Sequence, residues 1–252
     1  MTTFKLTIAY DGTTFVGWQR QAEGTSIQGL LETALADLDG REVTVIGASR
    51  TDAGVHALGQ VACATLNRTI DGRTLAHAVN VRLPPTVRVL DAVEVPATFH
   101  ARFDVKAKTY RYRILNDEVV APFEQPYVWH VPSPRLDIDA MVEAARVFEG
   151  RHDFSAFQAA GSSTVTTTRV VLAASVVELA SPWGGARLVV FDVRGDGFLR
   201  HMVRTMAGTL VEVGRGARPP AWTAEVLESR DRGRAGRNAP STGLVLVGVE
   251  YE

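Results

Sequence analysis

Arg50, Thr51, Asp52 and His56 stand close together in a stretch flanked by apolar residues, and that composition is not what burial alone would select. A carboxylate such as Asp52 can act as a base, as a nucleophile or as the cap of a turn. Arg50 lies two residues away, and in an extended loop the two side chains would project from the same side. There a guanidinium would keep Asp52 ionised, bind a phosphate, or form a purely structural ion pair. His56 can serve as an acid or a base. No third partner lies nearby in sequence, so spacing alone yields no serine–histidine–aspartate arrangement.

These groups need rigid neighbours. Val43, Val45 and Ile46 predict a strand entering the stretch, and Val61 to Leu66 predict one leaving it. Gly47 and Gly54 suit tight turns. A polar loop pinned between two buried strands has little freedom, which is what chemistry requires. Upstream, Phe4, Leu6 and Ile8 alternate with polar residues as a half-buried strand does. Thr25-Ser26-Ile27-Gln28 reads as a capping box with Thr25 at the cap. Ile27, Leu30, Leu31, Ala34, Leu35 and Leu38 then follow helical spacing up to Gly40. A short helix over Thr74–Val79 and a strand over Thr86–Val95 complete a first α+β domain, residues 1–105, with helices on one face of an antiparallel sheet. The second domain, residues 106–252, is also α+β. Its expected parts are a strand through Tyr110 and a helix capped by Asp137 and stopped by Gly150. Strands over Val170–Leu179 and Arg187–Val193 follow, and then a helix with the stripe Leu199, Met202, Val203, Met206, Leu210 and Val213. A short helix near Thr223–Leu227 and an apolar closing strand from Leu244 end it.

The chain has 252 residues and 46% hydrophobic content, enough for a sizeable core and against global disorder. It has one cysteine, Cys63, in a strand-like run, so neither an intrachain disulfide nor a cysteine metal cluster is expected. Adjacent His152 and Asp153 do not make a metal site by themselves. A long apolar span is absent, and a cytoplasmic protein is expected. The net charge of −1 argues against bulk coating of a polyanion. The cations are nevertheless clustered, in Arg102–Arg113, in Arg194–Arg204 and in Arg230–Arg237, which suits a shaped polyanion. In Lys106-Ala107-Lys108-Thr109-Tyr110-Arg111-Tyr112-Arg113, a strand places Lys106, Lys108, Tyr110 and Tyr112 on one face and Arg111 and Arg113 on the other. Tyr110 can lie against a base while the neighbouring cations hold phosphates; an exposed strand with solubilising charges has the same composition. Arg200 and Arg204, four apart on a helix, would share a face toward phosphate or water. The arginine-rich 230–237 segment reads as mobile or surface exposed, and the polar run Ser162–Thr168 as a loop that orders on binding.

Taken in order, these stretches resemble the TruA-type transfer-RNA pseudouridine synthases. Arg50-Thr51-Asp52-Ala53-Gly54-Val55-His56 is the most specific marker. Tyr10-Asp11-Gly12, Gly17-Trp18-Gln19, Phe99-His100-Ala101-Arg102 and Lys108-Thr109-Tyr110-Arg111-Tyr112 join it. So do His152-Asp153-Phe154-Ser155, Gly197-Phe198-Leu199-Arg200-His201-Met202-Val203-Arg204 and Ala239-Pro240-Ser241-Thr242-Gly243-Leu244. Ser49 stands where the family commonly has glycine. The resemblance implies two α+β domains with largely antiparallel sheets meeting at a catalytic cleft, and a homodimer working without metal or organic cofactor. The implied substrate is transfer RNA, whose uridines near the anticodon stem-loop become pseudouridines. The family's essential aspartate falls on Asp52, its neighbouring arginine on Arg50 and its active-site tyrosine on Tyr110. Lys106, Lys108, Arg111, Arg200 and Arg204 are the expected RNA contacts. Two rivals are a catalytically inactive transfer-RNA-binding or RNA-folding module, and an aspartate-dependent hydrolase, for which no metal set or oxyanion arrangement is visible.

Overall fold

The computed structural model describes residues 1–161, 164 and 166–251; Ser162, Ser163 and Val165 of the expected polar loop lie outside the described residues. The chain begins β1 (Thr2–Tyr10), α1 (Ile27–Asp39), β2 (Ile46–Gly47), β3 (His56–Leu66), α2 (Gly72–Asn80), β4 (Val87–Val95). It continues β5 (Ala107–Leu115), β6 (Trp129–His130), α3 (Ile138–Arg146), β7 (Gly150–Asp153), β8 (Thr168–Ala180), β9 (Arg187–Gly195). The last elements are α4 (Met202–Gly214), α5 (Trp222–Ser229) and β10 (Leu244–Glu250). The fold class is α+β with largely antiparallel sheets.

Two compact units divide these elements: Met1–Lys106 with Val245–Glu252, and Ala107–Leu244. The expected second domain ran to residue 252, whereas the closing strand is grouped with the first unit. The reason is local. β10 pairs in parallel with β3, Val245 opposite His56 and Leu246 opposite Ala57. The Lys106 N–H also donates to Glu250 O at 2.8 Å, and the Tyr251 hydroxyl donates to Ala101 O at 2.6 Å.

In the first unit the strand order is β4–β1–β3–β10, with β1 antiparallel to both β3 and β4 and the short β2 antiparallel to β3. Phe4, Leu6 and Ile8 alternate inward and are fully buried, as their spacing requires. Helix α1 buries Ile27, Leu31, Ala34 and Leu35 and ends at Gly40, whose φ of 73° is the left-handed cap that favours glycine. Its N-cap is Ser26, not Thr25: the Ser26 hydroxyl accepts from Gly29 N at 3.2 Å. Gln28 does not reach back to a capping box. Its carbonyl accepts from Arg20 N at 3.1 Å and from Gln19 at 3.0 Å, and its amide donates to Val45 O at 3.0 Å, so it braces two loops.

In the second unit the order is β5–β9–β8–β7, all antiparallel, with β6 parallel to β5. Helix α3 is capped by Asp137, as expected, but Gly150 is not its stop. The helix ends at Arg146, and Gly150, at φ 107°, bends the chain into β7. Helix α4 is buried on nearly every side and not along one stripe. Gly208 explains part of this, since a Cβ there would sit 1.8 Å from Arg237 O. The arginine-rich segment therefore lies directly on α4. Of the two expected alternatives it takes the exposed one, with Arg230, Arg234 and Arg237 at the surface, and it is tied down locally: Arg232 donates to Gly236 O at 3.0 Å, and Arg237 stacks over Trp129 at 4.4 Å.

Candidate active site

Asp52 sits on the irregular segment between β2 and β3. Its carbonyl accepts from Val55 N at 3.1 Å, closing a turn whose third position, Gly54, takes a φ of 74°. Glycine adopts that angle at no steric cost, which other residues rarely do. The Asp52 side chain is half-buried, and Arg50, two residues earlier, is exposed. Asp52 is therefore held by its backbone while its side chain keeps some contact with solvent.

A buried polar network supports the segment. The Thr51 hydroxyl meets the Tyr10 hydroxyl at 2.7 Å. Gln60 is fully buried; its amide donates to Ser49 O at 2.8 Å and to the Tyr10 hydroxyl at 3.3 Å, and its carbonyl accepts from Ser49 N at 3.2 Å. Thr51 O accepts from Trp18 N at 3.0 Å. That approach needs Gly17, where a Cβ would lie 2.6 Å from Thr51 O, and Gly17 has a φ of 109°. Gly47 packs equally closely beneath Trp18, with a Cβ position 2.4 Å from the indole. The Gly17-Trp18 stretch and the Arg50-Thr51-Asp52 stretch are thus one packed unit, and Trp18, 2% exposed, is part of its wall. Sequence reading missed Gln60 and Tyr10; the available signal was a glutamine inside an otherwise apolar strand.

His56 is buried at the start of β3. Its Nδ1 accepts from Gly12 N at 3.1 Å and lies 3.2 Å from Asp11 Oδ1. One nitrogen cannot accept from Gly12 and donate to Asp11 at once, so the tautomer decides which it serves. Either way His56 ties the Tyr10-Asp11-Gly12 turn to the base of the Asp52 segment.

Tyr110, Lys108 and Arg111 all lie on β5 in the second unit; Tyr110 and Tyr112 are buried and Arg111 and Arg113 keep partial exposure, as a period of two requires. Lys108, expected on the tyrosine face, is also partly exposed, and Tyr110 is 6% exposed where an open face was expected. The Tyr110 ring meets Phe198 edge-on at 5.2 Å and 83°, which brings the Gly197-Phe198-Leu199-Arg200 run beside β5. Tyr112 is fully buried, with its hydroxyl donating to Pro240 O at 2.7 Å. Burial pushes its phenol well above the usual range. The 239–243 run is therefore a lid on Tyr112, and Gly243 is required there because a Cβ would come within 2.8 Å of Arg113 O and the Tyr112 ring. Arg111 donates through Nε and Nη2 to both oxygens of Asp192, each at 2.8 Å. That bidentate bond makes its guanidinium hold its proton more tightly than usual, and it occupies the fork that a phosphate would take. Lys106 precedes β5, belongs to the first unit and is exposed.

Arg200 and Arg204 do not share a helical face. His201 takes a φ of 65° as the N-cap of α4, so the helix starts at Met202 and Arg200 lies in the turn before it. Arg200 is exposed, whereas Arg204 is half-buried and donates from Nε to Ala239 O at 2.7 Å. His152 and Asp153 serve the backbone: His152 Nε2 lies 2.7 Å from Glu149 O, and Asp153 accepts from Ser155 N at 3.0 Å. A hydrogen bond from Thr167 is the main reason the Asp153 carboxyl is held below its usual range. Among the described residues no three His, Cys, Asp or Glu converge on a possible metal position, and no helix is long and apolar enough to cross a membrane.

A family model described as tRNA pseudouridine synthase matches residues 6–104 and 144–252, which include Asp52 and its supporting network. The chain belongs to the tRNA pseudouridine synthase family. Among relatives, a protein named tRNA pseudouridine synthase A from Myxococcus xanthus is 48% identical over 251 residues, covering 100% of this chain and 92% of the relative. One of the same name from Syntrophotalea carbinolica is 45% identical, covering 100% of this chain and 97% of the relative. A third, from Pelobacter propionicus, is 45% identical and covers 100% of both. Family membership makes this chain an RNA-modifying isomerase.

Proposed function

We propose that this isomerase converts uridines in the anticodon stem-loop region of transfer RNA to pseudouridine, with Asp52 as the essential carboxylate. The observation that carries this reading is a half-exposed Asp52 on a segment immobilised by a buried Tyr10–Thr51–Gln60–Ser49 network, beside an exposed Arg50. The reaction breaks the C1′–N1 bond of uridine, turns the uracil, and forms the C1′–C5 bond. The C5 proton leaves and N1 gains one, so the product is an isomer, and no electrons or donor groups are consumed. An ionised Asp52 can attack the base, attack the sugar, or remove a sugar proton; all three routes start from the same carboxylate. The uridine first leaves its stack. Arg50 fills the space left near the displaced base and pairs with phosphate. Tyr110 stacks on the uracil and assists removal of the C5 proton.

Lys106, Lys108, Arg200 and Arg204 are proposed to contact RNA, with Arg204 acting mainly by shaping the 239 segment. Arg111 takes a smaller share because Asp192 holds its fork. We place the enzyme in the cytoplasm as a homodimer. Phe123 and Trp183, 70% and 51% exposed with rings 5.5 Å apart, are an apolar surface in keeping with a subunit seam, and sedimentation velocity tests it.

The deciding experiment uses transfer RNA carrying tritium at uridine C5. Wild-type enzyme should release tritium to water in step with pseudouridine, with chelator present. Asp52→Asn should bind transfer RNA within a few-fold of wild type, keep its fold and release none. Near-normal single-turnover release from purified Asp52→Asn would refute the assignment.

A further inference from the structure

The Phe99–Asp104 loop is built more firmly than a connector requires, and it displays an aromatic ring to solvent. Ala101 is fully buried and its carbonyl accepts from the Tyr251 hydroxyl at 2.6 Å, while Phe99 packs on Tyr251 with ring centroids 5.0 Å apart. His100 Nδ1 accepts from both Arg102 N and Phe103 N at 3.2 Å. His100 O accepts from Phe103 N at 3.2 Å and from Asp104 N at 3.1 Å, and the Asp104 carboxylate accepts from His100 N at 2.8 Å. None of these bonds involves the Phe103 side chain. Its ring nevertheless lies stacked on the His100 imidazole, 4.3 Å between centroids and 27° between planes, and remains 74% exposed. The Arg102 guanidinium stands 5.7 Å from the ring centroid, and Lys106, three residues after Phe103 along the chain, is exposed. A phenylalanine that contributes nothing to the core, stacked on an imidazole with a guanidinium over its ring, is the arrangement that receives a nucleobase: any base has a π-face, and the adjoining phosphates need positive charge.

We propose that the His100–Phe103 stack is a platform for an unpaired base of the RNA substrate, with Arg102 and Lys106 taking the phosphates beside it. The proposal rests on the reading of the chain as a transfer-RNA enzyme and adds a second contact site, on the first unit, remote in sequence from Asp52. Stacking releases few counterions, whereas a phosphate contact releases about one, so the two roles separate by salt dependence.

The test is transfer-RNA binding by full-length Phe103→Ala, Phe103→Trp and Arg102→Ala across a salt series, paired with single-turnover tritium release. Phe103→Ala should weaken binding roughly tenfold with an unchanged salt slope, while Phe103→Trp should bind as wild type does and lose indole fluorescence on binding. Arg102→Ala should lower the slope by about one unit. Because Phe103 is exposed, far-UV circular dichroism of all three variants should match wild type. If wild type releases tritium but Phe103→Ala binds and turns over within twofold of it, the platform alone is refuted. If Phe103→Ala changes the oligomeric state and leaves RNA affinity intact, the ring is a protein contact and the proposal fails. If wild type releases no tritium, the functional reading and the platform fall together.

Discussion

Replacing Gln60 with leucine tests whether the Asp52 segment is held from beneath. The side chain is fully buried and makes three hydrogen bonds, to Ser49 O at 2.8 Å, from Ser49 N at 3.2 Å and to the Tyr10 hydroxyl at 3.3 Å. Leucine has similar volume, so no large cavity opens, and its apolar burial recovers part of the loss. Each lost bond contributes about 1 kcal/mol net, more where the partner stays buried, so three sum to about 3 kcal/mol. The 3.3 Å bond is the weakest, and Ser49 is half-exposed and can be rehydrated, which brings the expected loss to about 2 kcal/mol. Urea unfolding should show this as a lower midpoint with the slope unchanged. Turnover should fall further than stability accounts for. Under conditions where the variant is fully folded, single-turnover tritium release should drop at least tenfold while transfer-RNA affinity changes little, because the displaced group is the carboxylate and not the cations. A Gln60→Leu enzyme within 0.5 kcal/mol of wild type and of normal single-turnover rate would show that the network does not position Asp52.

Two further outcomes are expected. Tyr110→Phe keeps the ring against Phe198 and removes the hydroxyl, whereas Tyr110→Leu removes the planar face; both should bind transfer RNA, and if the hydroxyl assists C5 proton removal, Phe should be severely slowed in single turnover. Full activity in both would take Tyr110 out of the site. Arg200→Ala should leave stability within about 0.5 kcal/mol and lower the salt slope of binding by about one, while Arg204→Ala should cost about 1 kcal/mol or more through its lost bond to Ala239 O. Equal behaviour of the two variants in both assays would mean that their different settings, a turn and a helix, do not matter.

Much of this protein was legible along the chain because it depends on local rules. Alternation in Phe4-Leu6-Ile8 foretold which side chains turn inward, and in Lys108–Arg113 it separated the tyrosines from Arg111 and Arg113 without telling which face is buried, since a strand has a period of two whatever surrounds it. Gly40 as a helix stop and Asp137 as a cap follow from backbone chemistry within a few residues. The Arg50-Thr51-Asp52 segment stood out because its composition contradicts its apolar flanks.

What failed or stayed invisible needed residues far apart in sequence. Thr25 and Ser26 are both competent caps, and the choice went to Ser26 because the chain arriving from Gly17 and Trp18 already occupies the first helical N–H groups. Helical spacing joined Arg200 to Arg204, but the left-handed turn at His201 separates them, and only the packing of Phe198 against Tyr110 shows where that turn leads. Arg111 looked available to RNA until β9 placed Asp192 directly across from it. Gln60 reads as an oddity in a strand; its role exists only once β1 brings Tyr10 and the segment after β2 brings Ser49 to the same buried point. Sequence determines which groups are present and how each short stretch bends. Which donor meets which acceptor is decided by sheet register and by the obligation of every buried polar group to find a partner, and those are properties of the whole fold.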